Sequence, residues 1–319
     1  MSSSRASSRS PRPNICLSIS KAAAALLEGQ LVILPTETVY GLAADAGQPA
    51  AVAAIFEAKG RPKFNPLIAH VASVEAAKQI ARLDDRAEAL AAAFWPGPLT
   101  LVAPITDETA VCDLARAGLD TVAVRVPGHP DALALLAAVG RPIVAPSANR
   151  SGRPSPTTCA DALEETGAAA ALAIDGGPCA VGLESTVVAC LPGEPLRLLR
   201  TGAVDRAAIE AVAGPLLDAE TSVHRSPGRL TSHYAPDAPL RVNAQSPRPG
   251  ELFIGFGALD GDMNLSPSGD LREAAANLFA FLRAADRRKP AAIAVAPVPA
   301  DGLGEAINDR LSRAAGFVG

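Results

Sequence analysis

The feature that most constrains this chain is a succession of short apolar runs, each closed by a proline, a glycine or a polar cluster. They fall at 31–34, 67–71, 99–105, 121–126, 143–145, 172–174, 186–189 and 196–199. Runs of this length suit strands better than helices. Alanine-rich stretches with helical character lie between several of them, one ending at Gly29 and another over 50–58. Because some runs follow one another with no helix between, the expected fold class is α/β with a twisted mixed sheet.

Around 214–239 this rhythm fails, and Pro, Ser, His and Arg dominate, which marks a linker. Beyond it come a strand at 252–256, a helix at 271–287, a strand at 293–296 and a final helix, a small α/β unit of its own. A chain of 319 residues suits two such cores better than one. The expected division is a tail without fixed structure at 1–13, a first domain at 14–213, a linker at 214–239 and a second domain at 240–319. No internal repeat is visible. Gly255-Phe256-Gly257 and Gly261 follow a strand, but their spacing misses the dinucleotide fingerprint, so this cluster is expected to be a glycine-rich turn.

Composition narrows the function classes. Apolar residues at 49% and charged residues at 19% describe a folding chain, not a disordered one. No apolar stretch reaches the roughly 20 residues that span a bilayer, so a soluble, cytoplasmic protein without membrane contact is expected. The tail carries Arg5, Arg9 and Arg12 but lacks the apolar segment of a secretory signal. Five scattered cysteines (Cys16, Cys112, Cys159, Cys179 and Cys190) point to reduced thiols. With four histidines and no His-Glu-x-x-His, a dedicated transition-metal site is not expected. The formal charge of −4 argues against a protein held to nucleic acid mainly by electrostatics.

Chemistry-bearing residues gather at strand ends, the edge where α/β sheets place ligands. Thr36, Glu37, Thr38 and Tyr40 follow the 31–34 strand. Lys59, Arg61 and Lys63, stiffened by Pro62 and Pro66, follow a helix and make a loop suited to phosphates, with Asn65 within it and His70 after it. On 121–126, alternation sets Thr121, Ala123 and Arg125 on one face and three valines on the other. Arg125 needs a partner there, either a structural carboxylate or a carboxylate on a substrate. Ser147, Asn149, Ser151 and Ser155 offer small donors after another strand, and Glu184, Ser185, Arg200 and Thr201 occupy later strand boundaries. No Walker-type phosphate loop occurs. Taken singly, each segment is equally compatible with caps, turns and solvated charge.

Their order is more specific. Pro-Thr-Glu-Thr-Val-Tyr-Gly-Leu at 35–42 is followed by Lys-Gly-Arg-Pro-x-x-Asn-Pro-Leu at 59–67, Phe-Trp-Pro-Gly-Pro-Leu-Thr at 94–100 and Val-Arg-Val-Pro at 124–127. Pro-Ser-Ala-Asn at 146–149, Gly-x-Glu-Ser-Thr-Val at 182–187 and Arg-x-Gly at 200–202 complete the series. This series resembles the YrdC family of threonylcarbamoyl-AMP synthases, and Ser226-Pro227-Gly228 with His233-Tyr234-Ala235-Pro236 resembles the linker of its long, two-domain branch. The resemblance implies a catalytic domain with a concave basic cavity and a small Rossmann-like second domain. It implies that Lys59, Arg61, Asn65, Thr121, Ser147, Ser155, Arg200 and Tyr234 bind ATP, with Tyr234 part of a lid. It implies that Thr38, His70, Arg125 and Ser185 bind L-threonine. Bicarbonate or CO2 would be the third substrate, Mg2+ would accompany the ATP phosphates, and no side-chain nucleophile is required. The product would pass to a tRNA threonylcarbamoyl transferase complex, with weak RNA binding a further possibility. Two departures stand out: Ala43 where the family usually has glycine, and Arg229 to Ser232 where a methionine and a further basic residue are common.

Two competing readings remain at this stage. A carbamoyl-transferring hydrogenase-maturation protein shares the module, but it usually adds an acylphosphatase-like segment and zinc-finger cysteines that this chain lacks. A non-catalytic module binding double-stranded RNA or the ribosome through the same basic cavity would weaken steeply with salt and ignore threonine.

Overall fold

The computed structural model describes residues 14–15, 18–62, 65–219 and 234–316. The expected tail at 1–13 and the lid stretch through His233 lie outside the described residues, as do Cys16, Lys63 and the departure at 229–232.

The first domain is built on a mixed sheet with eleven strands among the described residues. They are β1 (Asn14–Ile15), β2 (Leu31–Leu34), β3 (Gly41–Asp45), β4 (Ile68–His70), β5 (Leu99–Pro104), β6 (Thr121–Arg125), β7 (Ile143–Val144), β8 (Ala170–Ala173), β9 (Thr186–Ala189), β10 (Leu196–Arg200) and β11 (Leu216–Asp218). Their spatial order is β1-β8-β2-β3-β7-β4-β6-β5-β9-β10-β11. β4 runs parallel to β6, while β5 is antiparallel to β6 and parallel to β9. Consecutive strands such as β2 and β3 pair antiparallel, as the missing helix between them requires.

Helices cover the sheet: α1 (Ile19–Leu27), α2 (Pro49–Lys59), α3 (Val74–Ile80), α4 (Asp85–Phe94), α5 (Asp113–Arg116), α6 (Pro130–Val139), α7 (Cys159–Thr166) and α8 (Arg206–Ala213). Their starts are written in the sequence. Ser18, Ser73, Asp84, Thr158 and Asp205 each accept a hydrogen bond from a backbone N–H of the first turn. Val122, Val124 and Val126 of β6 face the main core with Leu99 and Leu101, whereas Ala123 faces a smaller cluster with Ile68, Val102 and Val187. That second face carries Arg125, as the alternation predicts.

β11 revises the expected boundary. Leu216–Asp218 lies in the stretch expected to be linker, yet it pairs parallel with β10, and Leu216 and Ile209 are buried in the main core. The sheet of the first domain therefore continues past residue 213, to Asp218.

The second domain holds β12 (Leu240–Arg241), β13 (Glu251–Gly255), β14 (Met263–Asn264) and β15 (Ala292–Val295), with α9 (Leu271–Arg287) and α10 (Leu303–Ala314). Its sheet, ordered β12-β15-β13-β14, is parallel throughout. The glycine cluster is a turn, as expected: β13 ends at Gly255, Phe256 bridges to Leu259, and a short strand follows where a dinucleotide fold would start a helix. A Cβ at Gly255 would come within 2.0 Å of the Leu259 carbonyl oxygen, so only glycine fits there.

The two domains are docked tightly. Val39 and Leu183 of the first complete the apolar core of the second. Arg283 pairs with Glu165 at 3.1 Å, Arg153 with Asp286 at 3.0 Å, and Arg287 with Asp161 and Glu164. At Gly182, with φ +72°, a Cβ would stand 2.5 Å from the Ala276 Cα, so the backbones meet without a side chain between them. No helix among the described residues is long and apolar enough to cross a membrane.

Candidate active site

On the second face of the sheet, beside Tyr234, lies a cleft. Eight of the twelve residues expected to bind ATP or threonine line it: Thr38, Arg61, His70, Ser147, Arg125, Ser185, Arg200 and Tyr234.

One wall is built around Arg125. The β4–β6 register sets His70 directly beside it. The turn between β2 and β3 brings Thr38, held because the Thr36 hydroxyl donates to the Val39 carbonyl at 2.6 Å and lies 2.8 Å from that of Thr38. Arg125 donates from Nε to the Gly97 carbonyl at 3.1 Å, from Nη1 to Thr38 Oγ1 at 3.0 Å and from Nη2 to Glu37 Oε1 at 2.5 Å. The sequence left open whether a structural or a substrate carboxylate satisfies this arginine; Glu37 is the structural one. Burial opposes the Glu37 charge, but Arg125 prevails and holds the carboxyl below its ordinary value. Three of five N–H donors are thereby engaged, and two remain for a ligand.

Burial, reinforced by Arg125, lowers the His70 imidazole to about 3. The ring is therefore neutral at pH 7. Its Nδ1 lies 3.1 Å from the Ile68 carbonyl, which can only accept, so that contact calls for the proton on Nδ1. Ser185, just before β9, is fixed by the Thr100 hydroxyl at 2.7 Å and by Arg200 Nη2 at 3.1 Å.

The opposite wall is cationic. Gly60, left-handed at φ 58°, ends α2 and turns the chain so that Lys59 is buried and Arg61 reaches the cleft. Lys59 Nζ donates to the carbonyls of Ser147, at 2.5 Å, and Asn149. Arg200 donates to the Ser185 carbonyl from Nε and Nη2. Arg61 reaches only the Pro66 carbonyl, at 3.4 Å, and its buried Nε has no partner among the described residues. Burial drives all three cations down: Lys59 well below its ordinary value, Arg61 to about 10, and Arg200 downward as well. Cations that meet carbonyls instead of carboxylates are short of negative charge, which is the electrostatic signature of an anion site.

Other expected residues stand behind this lining. Lys59 acts through Ser147, and Ser155 donates its hydroxyl to Glu184 at 2.6 Å. Asn65 is buried but outside the cleft lining. Thr121 begins β6, roughly 13 Å along the strand from Arg125 at the usual rise, and the cleft does not reach it.

The family whose description reads "Telomere recombination" (Sua5, YciO and YrdC) matches residues 24–202, and the family described as "Threonylcarbamoyl-AMP synthase, C-terminal domain" matches 204–316. The threonylcarbamoyl-AMP synthase of Bacillus subtilis is 40% identical over 323 residues, covering 93% of each chain. The chain belongs to the threonylcarbamoyl-AMP synthase family. A crystal structure of Pyrococcus abyssi Sua5 complexed with L-threonine superposes with a TM-score of 0.86 at 40% identity, covering 94% of each chain. The synthase of Chromohalobacter salexigens matches over 96% of its own length but only 56% of this chain, so the family includes members of about first-domain length.

Four residues of this family member carry structural roles at the site that the sequence did not disclose. Glu37 and Gly97 hold Arg125, Glu184 holds Ser155, and Arg310 of α10 holds Glu184. Glu37, Gly97 and Glu184 were visible inside the motifs without a role. Arg310 sits outside every motif, and no local signal marks it.

Proposed function

We propose that this chain joins L-threonine, bicarbonate or CO2, and ATP into threonylcarbamoyl-AMP and diphosphate, for modification of tRNA beside the anticodon. The observation that carries the reading is the two-walled cleft: carbonyl-bound, charge-deficient cations on one side and Arg125 with neutral His70 on the other. ATP is assigned to the wall of Arg61, Ser147, Arg200 and Tyr234, with Lys59, Ser155 and Asn65 behind it. For Thr121 the assignment rests on the family resemblance alone. Threonine is assigned to Arg125, which receives its carboxylate, and to Thr38, His70 and Ser185. The Pyrococcus abyssi relative, with L-threonine in its crystal structure, supports this second assignment.

In this reading the threonine amine adds to the carbon of CO2, or of bicarbonate with loss of water, and a proton leaves the nitrogen. A carboxylate oxygen of the resulting carbamate attacks the α-phosphorus of ATP. The bond from that phosphorus to the bridging oxygen breaks, and diphosphate departs with the electron pair. Such a transfer asks for positioning and charge neutralisation, which the three cations supply without a side-chain nucleophile. Mg2+ would lower the negative charge of the phosphates. The one carboxylate lining the cleft among the described residues, Glu184, has both oxygens engaged, and no cluster of His, Cys, Asp and Glu there could hold a metal. The donor set therefore fits a metal carried on the phosphates. A free carbamate loses CO2 readily, so the buried position of Tyr234 against the cleft serves to keep water from it. The reading places the enzyme in the cytoplasm, handing its product to a tRNA transferase complex.

Diphosphate release should require L-threonine and bicarbonate together, because the attacking group exists only when both are present. Serine should be the poorer substrate, since a pocket that packs the extra methyl distinguishes the two by about 1–3 kcal/mol. Equal ATP turnover with threonine omitted, or no preference over serine in direct competition, would contradict the reading.

A further inference from the structure

A single carboxylate, Glu184, lines the cleft among the described residues, on the side of Arg61 and Arg200. A carboxylate facing a polyphosphate is costly, because like charges in a poorly solvated cleft repel. The structure answers that charge from the other domain. Arg310, fully buried on α10, donates from Nε to Glu184 Oε2 at 2.9 Å and from Nη2 to the Thr201 carbonyl at 2.8 Å. Its guanidinium lies 5.1 Å from the centre of the Tyr234 ring, within cation–π range. Glu184 Oε1 accepts from Ser155. One side chain of the second domain thus touches Glu184, Tyr234 and the backbone next to Arg200.

Simple adhesion between the domains does not require this arrangement. Arg283, Arg287 and Arg153 already join them through Glu165, Asp161, Glu164 and Asp286, none of which lines the cleft. Arg310 pairs with Asp309 of its own helix at 2.5 Å and, across the domains, with Glu184, which does line it. Burial raises the Glu184 carboxyl, but Arg310 and then Arg200 outweigh it, so the group remains ionised and already feels Arg200 as its second cation.

We infer that Arg310 is a positioning residue for ATP, which neutralises Glu184 and so leaves Arg200 and Lys59 to the phosphates. The inference rests on the assignment of ATP to the cationic wall. Without Arg310, Glu184 faces the phosphates uncompensated, turns toward Arg200, and no longer holds Ser155 in place. Each consequence weakens ATP, and only the turn toward Arg200 reaches the threonine side, through Ser185. Members of about first-domain length have no counterpart of α10, so this is a property of the two-domain chain.

The test measures KM for ATP and for threonine in the full-length chain carrying Arg310→Met, Glu184→Gln, or both, with Arg61→Ala alongside. Arg310→Met should raise the ATP value about tenfold or more by exposing a like charge, with a much smaller change in the threonine value. Adding Glu184→Gln should bring it back to within about threefold of wild type, since the carboxylate facing the phosphates is then neutral while Asp309, the other partner of Arg310, keeps Arg313. A contact that only joins the domains would lower the melting temperature of Arg310→Met and leave its KM for ATP unchanged. If Arg310→Met does not fold, Arg310→Lys carries the comparison. A lysine retaining the charge should keep ATP affinity, and a folded Arg310→Lys with a tenfold loss would overturn the inference. Arg310→Met with unchanged ATP use, or a double variant that recovers nothing, would overturn it too. Unchanged ATP use in Arg61→Ala would instead overturn the ATP assignment itself, and the inference with it.

Discussion

Arg125 and Arg61 show how differently two arginines of one cleft are prepared. Arg125 is oriented by three acceptors, including the Glu37 carboxylate, and presents its remaining donors from a fixed plane. Arg61 is buried with an unpartnered Nε and waits for charge. Arg125→Lys, which replaces the fork by a point charge, should therefore raise KM for threonine with little change for ATP. Arg61→Ala should do the reverse. Isothermal titration in which Arg125→Lys loses ATP but keeps threonine would show the walls to be wrongly divided. His70 gives a prediction in pH. Its folded value of about 3 lies below the ordinary 6.5, so between them the unfolded chain binds the extra proton and stability rises with pH. The contribution is fully present above pH 6.5 and is lost as pH falls toward 3, amounting to roughly 2 kcal/mol by pH 5. Carboxylates, with ordinary values of about 4, titrate mostly below that upper part of the window. Melting temperature should thus fall between pH 6.5 and 5 in the wild type and hold nearly level in His70→Gln; parallel curves would show that His70 is not buried neutral.

At the scale of elements, the boundary of the first domain is open to measurement. A cut near residue 205 would remove α8 and β11, and with them the buried Ile209 and Leu216. A cut at 219 keeps both. Losing two such side chains costs about 2–5 kcal/mol each, so the longer piece should melt at a clearly higher temperature. Equal melting of the two pieces would mean that β11 adds nothing to the sheet. This strand also shows where the sequence stopped being legible. Strands with strong apolar patterns, such as β2, β6 and β9, could be read directly, as could α9 to the residue. β3 could not: Gly-Leu-Ala-Ala-Asp has weak strand propensity, and its place is set by pairing with β2 and β7. β1, β7, β12 and β14 have two residues each, and only β7 lies in a run that the pattern marks as a strand. The others depend on partners distant in sequence. The site divides similarly. Thr38, His70, Arg125, Ser185 and Arg200 lie in motifs at strand ends, whereas the link from Arg310 to Glu184 joins residues 126 apart and appears only when α10 is docked.

For the whole molecule, the second domain is part of the site and not an appendage. Tyr234 packs on Phe279 of α9 with ring centres 5.4 Å apart, under the Arg310 guanidinium, while also lining the cleft. Val39 and Leu183 cross in the other direction to complete the second core. Burial also pushes the Cys179 and Cys190 thiols up to about 12, away from the thiolate form. The account rests finally on one reaction. The full-length chain is incubated with ATP, L-threonine, bicarbonate and Mg2+, and threonylcarbamoyl-AMP and diphosphate are quantified together by mass spectrometry. The two products should appear in equal amounts, and neither should form when threonine is omitted. Diphosphate without the mixed adenylate, or tight salt-sensitive RNA binding with no adenylate at all, would contradict it.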